Sequence, residues 1–165
     1  MNTKTIIISI LAVIVVFGVI IWIAKPSSQD GNANTDLNPE NKLVLQESMF
    51  DFGTISMKDG KVSHSFAIKN DSAEKVIIKK IYTSCMCTEA SLVKNGNRFG
   101  PFGMPGHGLV PSINQSINPG EESVIEVVFD PSAHGPSGVG KIQRSITIEN
   151  SGQPLELQMS AVVTP

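Results

Sequence analysis

In 165 residues this sequence has only two cysteines and one tryptophan. The tryptophan is Trp22, near the amino terminus, so the buried Cys–Trp–Cys arrangement of antibody domains is excluded. Basic residues are scattered, and no Lys/Arg cluster exceeds the pair Lys79–Lys80. Beyond Lys4, twelve basic residues face fifteen acidic ones. Nucleic acid as a partner therefore has no electrostatic support. From Lys42 onward no stretch carries a helical apolar stripe, and no phosphate loop, zincin helix or paired-carboxylate pattern occurs. The Cys-x-x-Cys of thiol oxidoreductases, which uses a helix start to activate its thiol, is missing too. With no oxyanion framework or acidic partner for a Cys–His pair, the chain reads as a non-enzyme.

What is present begins with Ile6–Ala24, nineteen residues without a charge. At about 1.5 Å per residue this run nearly spans the roughly 30 Å of bilayer hydrocarbon. It exceeds the h-region of a cleavable signal, about 7–15 residues. No small-x-small site closes it, and no cysteine follows for lipid attachment. Residues 1–25 are expected to form an uncleaved signal anchor, a cleaved signal peptide being the alternative. Lys4 and the amino terminus precede the run, while Asp30, Asp36 and Glu40 follow it. That asymmetry favours an inside amino end, giving a single-pass cell-membrane protein with its carboxyl-terminal domain outside the cytoplasm. Residues 26–41 hold Ser, Asn, Asp, Gly and Pro with little to bury and read as a flexible linker. Residues 42–165 are enough for one core.

Within that domain, apolar residues recur with period two. Val62, His64, Phe66 and Ile68 share one strand face. Val76–Tyr82 is mostly apolar and reads as a central strand. Ile125, Val127 and Phe129 form another face, as do Ile142, Arg144, Ile146 and Ile148, and then Leu155, Leu157, Met159, Ala161 and Val163. Leu43–Leu45 and Met49–Ile55 complete about seven strands. Lys58-Asp59-Gly60, Asn70-Asp71-Ser72-Ala73, Asn118-Pro119-Gly120, Asp130-Pro131 and Asn150-Ser151-Gly152 supply turns. The expectation is an all-β, immunoglobulin-like antiparallel sandwich.

The order of motifs adds a resemblance. Phe50-Asp51-Phe52-Gly53-Thr54-Ile55 is followed by His64–Asn70, then by Ile81–Thr88. Asn118-Pro119-Gly120-Glu121 then runs into Val124–Pro131. This succession resembles the bacterial domain of unknown function 1573, a family similar to hydin-type and sperm-protein-type immunoglobulin-like domains. The resemblance covers about Leu43–Val163. It implies an immunoglobulin-like sandwich outside the cytoplasm and no established activity. Where the family has Ser-Cys-Gly-Cys-Thr, this chain has Ser84-Cys85-Met86-Cys87-Thr88, and its stretch Glu89–Ser116 is longer than the family's.

Cys85 and Cys87 are the candidate chemistry. In an extended segment residues i and i+2 face the same way, about 6.6 Å apart at Cα, so both thiols address one atom and a disulfide between them sits at the limit of reach. Met104-Pro105-Gly106-His107 fits a type II turn, bringing its ends within about 7 Å. Two thiolates, a thioether and one imidazole match copper(I). Zinc needs another ligand in place of the thioether. The candidate metal residues are therefore Cys85, Cys87, Met104 and His107. The competing reading has buried small cysteines at a strand end, Met104 packed beneath its loop and His107 solvated. Met86 should point away from the cysteines, His64 reads as a satisfied half-buried histidine, and His134 reads as an ordinary loop residue. The function expected is a membrane-anchored binding module that takes copper(I). The alternative is a metal-free interaction or scaffolding module for an envelope protein.

Overall fold

The computed structural model describes residues 42–107 and 110–165. The expected anchor (1–25) and linker (26–41) lie outside the described residues. Among the described residues, no helix is long and apolar enough to cross a membrane.

Among the described residues, ten strands follow in chain order. They are β1 (Leu43–Leu45), β2 (Met49–Ser56), β3 (Val62–Asn70), β4 (Val76–Thr83), β5 (Thr88–Lys94), β6 (Asn97–Phe102), β7 (Gln115–Ile117), β8 (Glu122–Phe129), β9 (Gly140–Asn150) and β10 (Leu155–Thr164). They form two five-stranded sheets, β1-β3-β8-β5-β6 and β2-β10-β9-β4-β7. This is the expected all-β immunoglobulin-like sandwich, with two corrections. Ten strands replace about seven, because the stretch after the cysteines, expected as an insert, contains β5, β6 and β7. The second sheet is also mixed, since β2 pairs parallel with β10. The two strands are far apart in sequence, so no hairpin forces them antiparallel.

The inward faces are the ones read from alternation. Phe66 and Ile68 of β3, Leu92 of β5, and Ile125 and Val127 of β8 meet Ile78 and Ile81 of β4, Ile146 and Ile148 of β9, and Leu157 and Met159 of β10. Burying one such side chain contributes roughly 1.5–3 kcal/mol, so this face decides the register. In β4 the ladder slips between Ile78 and Lys80. That bulge re-phases the strand, and Ile78 and Ile81 both reach the core although three positions apart. The hairpin β5–β6 closes through Asn95-Gly96, both at positive φ (50° and 77°), as a two-residue turn between twisted strands requires.

His64 is half-buried as expected. It stacks on Phe50 with ring centroids 3.6 Å apart, and its Nε2 lies 2.5 Å from Glu47 Oε1.

Candidate functional site

The connection β4–β5 carries the chain from one sheet to the other. Thr83 at the end of β4 pairs with Ile146 of β9, and Thr88 at the start of β5 pairs with Phe129 at the end of β8. The β8–β9 connection therefore crosses between the same sheets at the same end. One hydrogen bond ties the two crossings together, from Asp130 N to Cys87 O (2.9 Å), and another ties the first crossing to β9, from Ser84 N to Ser145 O (2.9 Å). Thr83 Oγ1 is buried and lies 3.0 Å from the Cys85 carbonyl and 2.9 Å from that of Thr88.

Ser84–Cys87 is consequently a turn rather than extended strand. Thr88 N donates to Cys85 O at 3.1 Å, which draws the cysteine Cα atoms to 5.3 Å. This corrects the expected spacing, and the two sulfurs are joined as a disulfide. Both cysteines are buried, whereas Met86 between them is 50% exposed and points away as expected.

Each sulfur accepts from its own set of donors. His134 Nε2 lies 3.1 Å from Cys85 Sγ. A disulfide sulfur has no hydrogen, so the imidazole N–H is the donor. The Cys87 backbone N–H points at the same sulfur, 3.4 Å away. Arg144 Nε donates to Cys87 Sγ at 3.3 Å, and the Thr88 hydroxyl lies 3.7 Å from it. Among the described residues Arg144 has no carboxylate partner; its other hydrogen bond goes to the Gln143 carbonyl. A guanidinium facing sulfur without a counter-ion favours negative charge on that sulfur. Hydrogen bonds with a charged member contribute about 1.5–3 kcal/mol against about 0.5–1.5 for neutral ones.

His134 is positioned by the turn that follows β8. Asp130 Oδ1 accepts from Ser132 N (2.9 Å) and Ser132 Oγ (2.7 Å). The Ser132 hydroxyl holds the Asp130 carboxyl below its usual range, helped by the Ser132 backbone N–H, Lys61 and Ala133 against the opposing effect of burial. Ser137 Oγ then donates to His134 O at 2.7 Å.

Of the four candidate ligands, Cys85 and Cys87 come together. The imidazole that joins them is His134: the ligand atoms of Cys85, Cys87 and His134 all lie within 4.8 Å of one another, a group that does not include His107. Met104–His107 does form its type II turn, with His107 N donating to Met104 O (3.3 Å) and Gly106 at φ 91°. Met104 is half-buried and His107 exposed. The turn starts one residue beyond Gly103, whose carbonyl accepts from Thr83 N at 3.2 Å.

Two site residues escaped the sequence reading. Arg144 carried a signal: it occupies the inward register of β9, in phase with Ile142, Ile146 and Ile148, and a charge there needs a partner. His134 had none in its local sequence, because only the stacking of two crossings brings it to Cys85.

The fold and site together define an immunoglobulin-like β-sandwich with a Cys-x-Cys turn at one end. Residues 43–100, which include that turn, match the model of the family described as protein of unknown function (DUF1573). No curated protein matches the sequence. Among solved structures, the chain is similar to a protein of unknown function from Porphyromonas gingivalis W83 (15% identity, TM-score 0.53, 73% of this chain and 46% of that one). It is also similar to the VesB protease of Vibrio cholerae (17%, TM-score 0.50, 74% and 32%), and to a family 123 glycoside hydrolase from Clostridium perfringens (8%, TM-score 0.50, 70% and 22%). The chain spans less than half the length of each. At these identities the similarity is one of fold.

Proposed function

We propose that this chain is a binding module, tethered to the cell membrane with its sandwich outside the cytoplasm, that captures copper(I) through the reduced Cys85–Cys87 pair and His134. One observation carries the reading: two sulfurs and an imidazole nitrogen lie within 4.8 Å of one another at the end of a rigid sandwich. Soft thiolates select copper(I), and three ligands suffice for it, whereas structural zinc takes four. Two thiolates around a monovalent cation leave one negative charge, and Arg144 stands beside Cys87 to balance it. Capture requires the dithiol, because sulfurs joined to each other have no free thiolate. Met104 and His107 enter only as ligands that a closing loop would add.

The test is a titration of the full-length chain, purified in detergent with a reductant, against a chelator competing for copper(I). One equivalent should bind tightly, and the Cys85→Ser/Cys87→Ser double variant should lose that binding. Equal affinity in the two proteins rejects the proposal. Metal-free interaction with an envelope protein is then the reading left standing.

A further inference from the structure

We propose that Cys85 and Cys87 are also a two-electron couple that exchanges with external dithiols, with Cys85 the attacked sulfur and Arg144 the residue that stabilises Cys87 as it leaves. The inference does not rest on copper, since exchange requires only the two sulfurs and their donors.

Three observations converge on it. The sulfurs are adjacent in a turn held by hydrogen bonds from three directions, from Thr83 of β4, Asp130 just past β8 and Ser145 of β9, so both oxidation states keep the same frame. The two cysteines differ in access: Cys85 is 9% exposed and Cys87 2%. They also differ in electrostatics, since the guanidinium of Arg144, without a carboxylate partner among the described residues, donates to Cys87. Thiol–disulfide exchange is faster when the departing sulfur is the better stabilised anion. A helix start performs that service in Cys-x-x-Cys proteins; here a side chain from the facing strand occupies the equivalent place.

The step balances as follows. One thiolate of the dithiol attacks Cys85 Sγ; a mixed disulfide forms and the Cys85–Cys87 bond breaks. Its electron pair stays on Cys87, facing Arg144. The second thiolate of the reagent then attacks its own sulfur in the mixed disulfide and releases Cys85 as a thiolate. The dithiol leaves as a cyclic disulfide, oxidised by two electrons, and the cysteine pair is reduced by two. The reagent's two protons go to the cysteine thiolates or to buffer.

Full-length oxidised chain, mixed with dithiothreitol, quenched with iodoacetamide at intervals and weighed, reads the rate directly. Both cysteines should alkylate together in the folded protein. Arg144→Gln should slow the reaction about tenfold, and Arg144→Lys, which keeps the charge, should restore most of the rate. A circular dichroism melt of each variant separates this from unfolding. The inference is overturned if the folded chain reacts only after urea is added, or if both Arg144 variants react at the wild-type rate. A chain that exchanges normally yet ignores copper(I) keeps this inference and removes the metal reading.

Discussion

The two ends of the sandwich solve one problem in different ways. Each must carry the chain from sheet to sheet over buried polar groups. At the end where β8 starts, Asn70 does this with its own turn. Its Nδ2 donates to Glu74 O (2.7 Å) and Ile117 O (2.9 Å), and its Oδ1 accepts from Ser72 N and Oγ (3.0 and 2.8 Å). Every polar atom of that fully buried amide is used by neutral backbone or hydroxyl groups, as a structural anchor requires. At the end where β8 finishes, the buried groups include two sulfurs beside the Thr83 hydroxyl, and what faces the sulfurs is an imidazole and a guanidinium from other elements. Closing a turn does not need a charge. A charge gathered around sulfur points to chemistry.

Substitution of Asn70 should give the largest effect on stability. Asn70→Ala strands the Ile117 carbonyl and unties the turn, and should destabilise the chain by about 3 kcal/mol, read by urea denaturation, while leaving copper(I) affinity unchanged. The mirror experiment at the other end should invert the pattern. On reduced protein, Cys85→Ser/Cys87→Ser should shift stability by less than about 1 kcal/mol and abolish copper(I) capture. If the cysteine variant is the one that unfolds, the sulfurs are the structural end and the comparison breaks.

Acid sharpens the same contrast with a smaller effect. Both ends hold a carboxylate below its usual range: Glu121 chiefly through the backbone N–H of Asn118, with Lys94 and Asn95 assisting against burial, and Asp130 chiefly through the Ser132 hydroxyl. A depressed carboxyl contributes stability above its unfolded value and loses it as pH falls through the folded value. The Asp130 contribution is therefore complete at neutral pH and fades below the ordinary 3.8. Since Asp130 is partly exposed, it amounts to less than about 1 kcal/mol. Asp130→Asn should remove that share of acid sensitivity and loosen the loop bearing His134. A denaturation series at pH 6 and pH 3 checks it: an unchanged acid dependence in the variant contradicts the assignment.

The core was legible in the sequence because period-two alternation is a local signal: the inward residues of β3, β8 and β10 are the ones it marks. The strands missed, β5 to β7, carry weaker signals. In β5 the ladder to β6 slips between Ala90 and Leu92, Ala90, Ser91 and Leu92 are buried in succession, and alternation disappears. The hairpin turn Asn95-Gly96 was nonetheless written in the chain. At the site, the sequence showed the two cysteines and the Met104–His107 turn but joined them on closeness in sequence. The imidazole at Cys85 lies 49 positions away and the guanidinium at Cys87 57. Contacts that depend on which loops share a sandwich end are set by topology, which local patterns do not encode.

The central claim is that the cysteine end gathers two sulfurs and one imidazole around a single point. X-ray absorption at the copper edge, on full-length reduced chain loaded with one equivalent of copper(I), measures this directly. Two sulfur ligands and one nitrogen are expected, with the nitrogen lost in His134→Asn and retained in His107→Asn. A copper shell without both sulfurs, or one whose nitrogen disappears with His107 rather than His134, would contradict it.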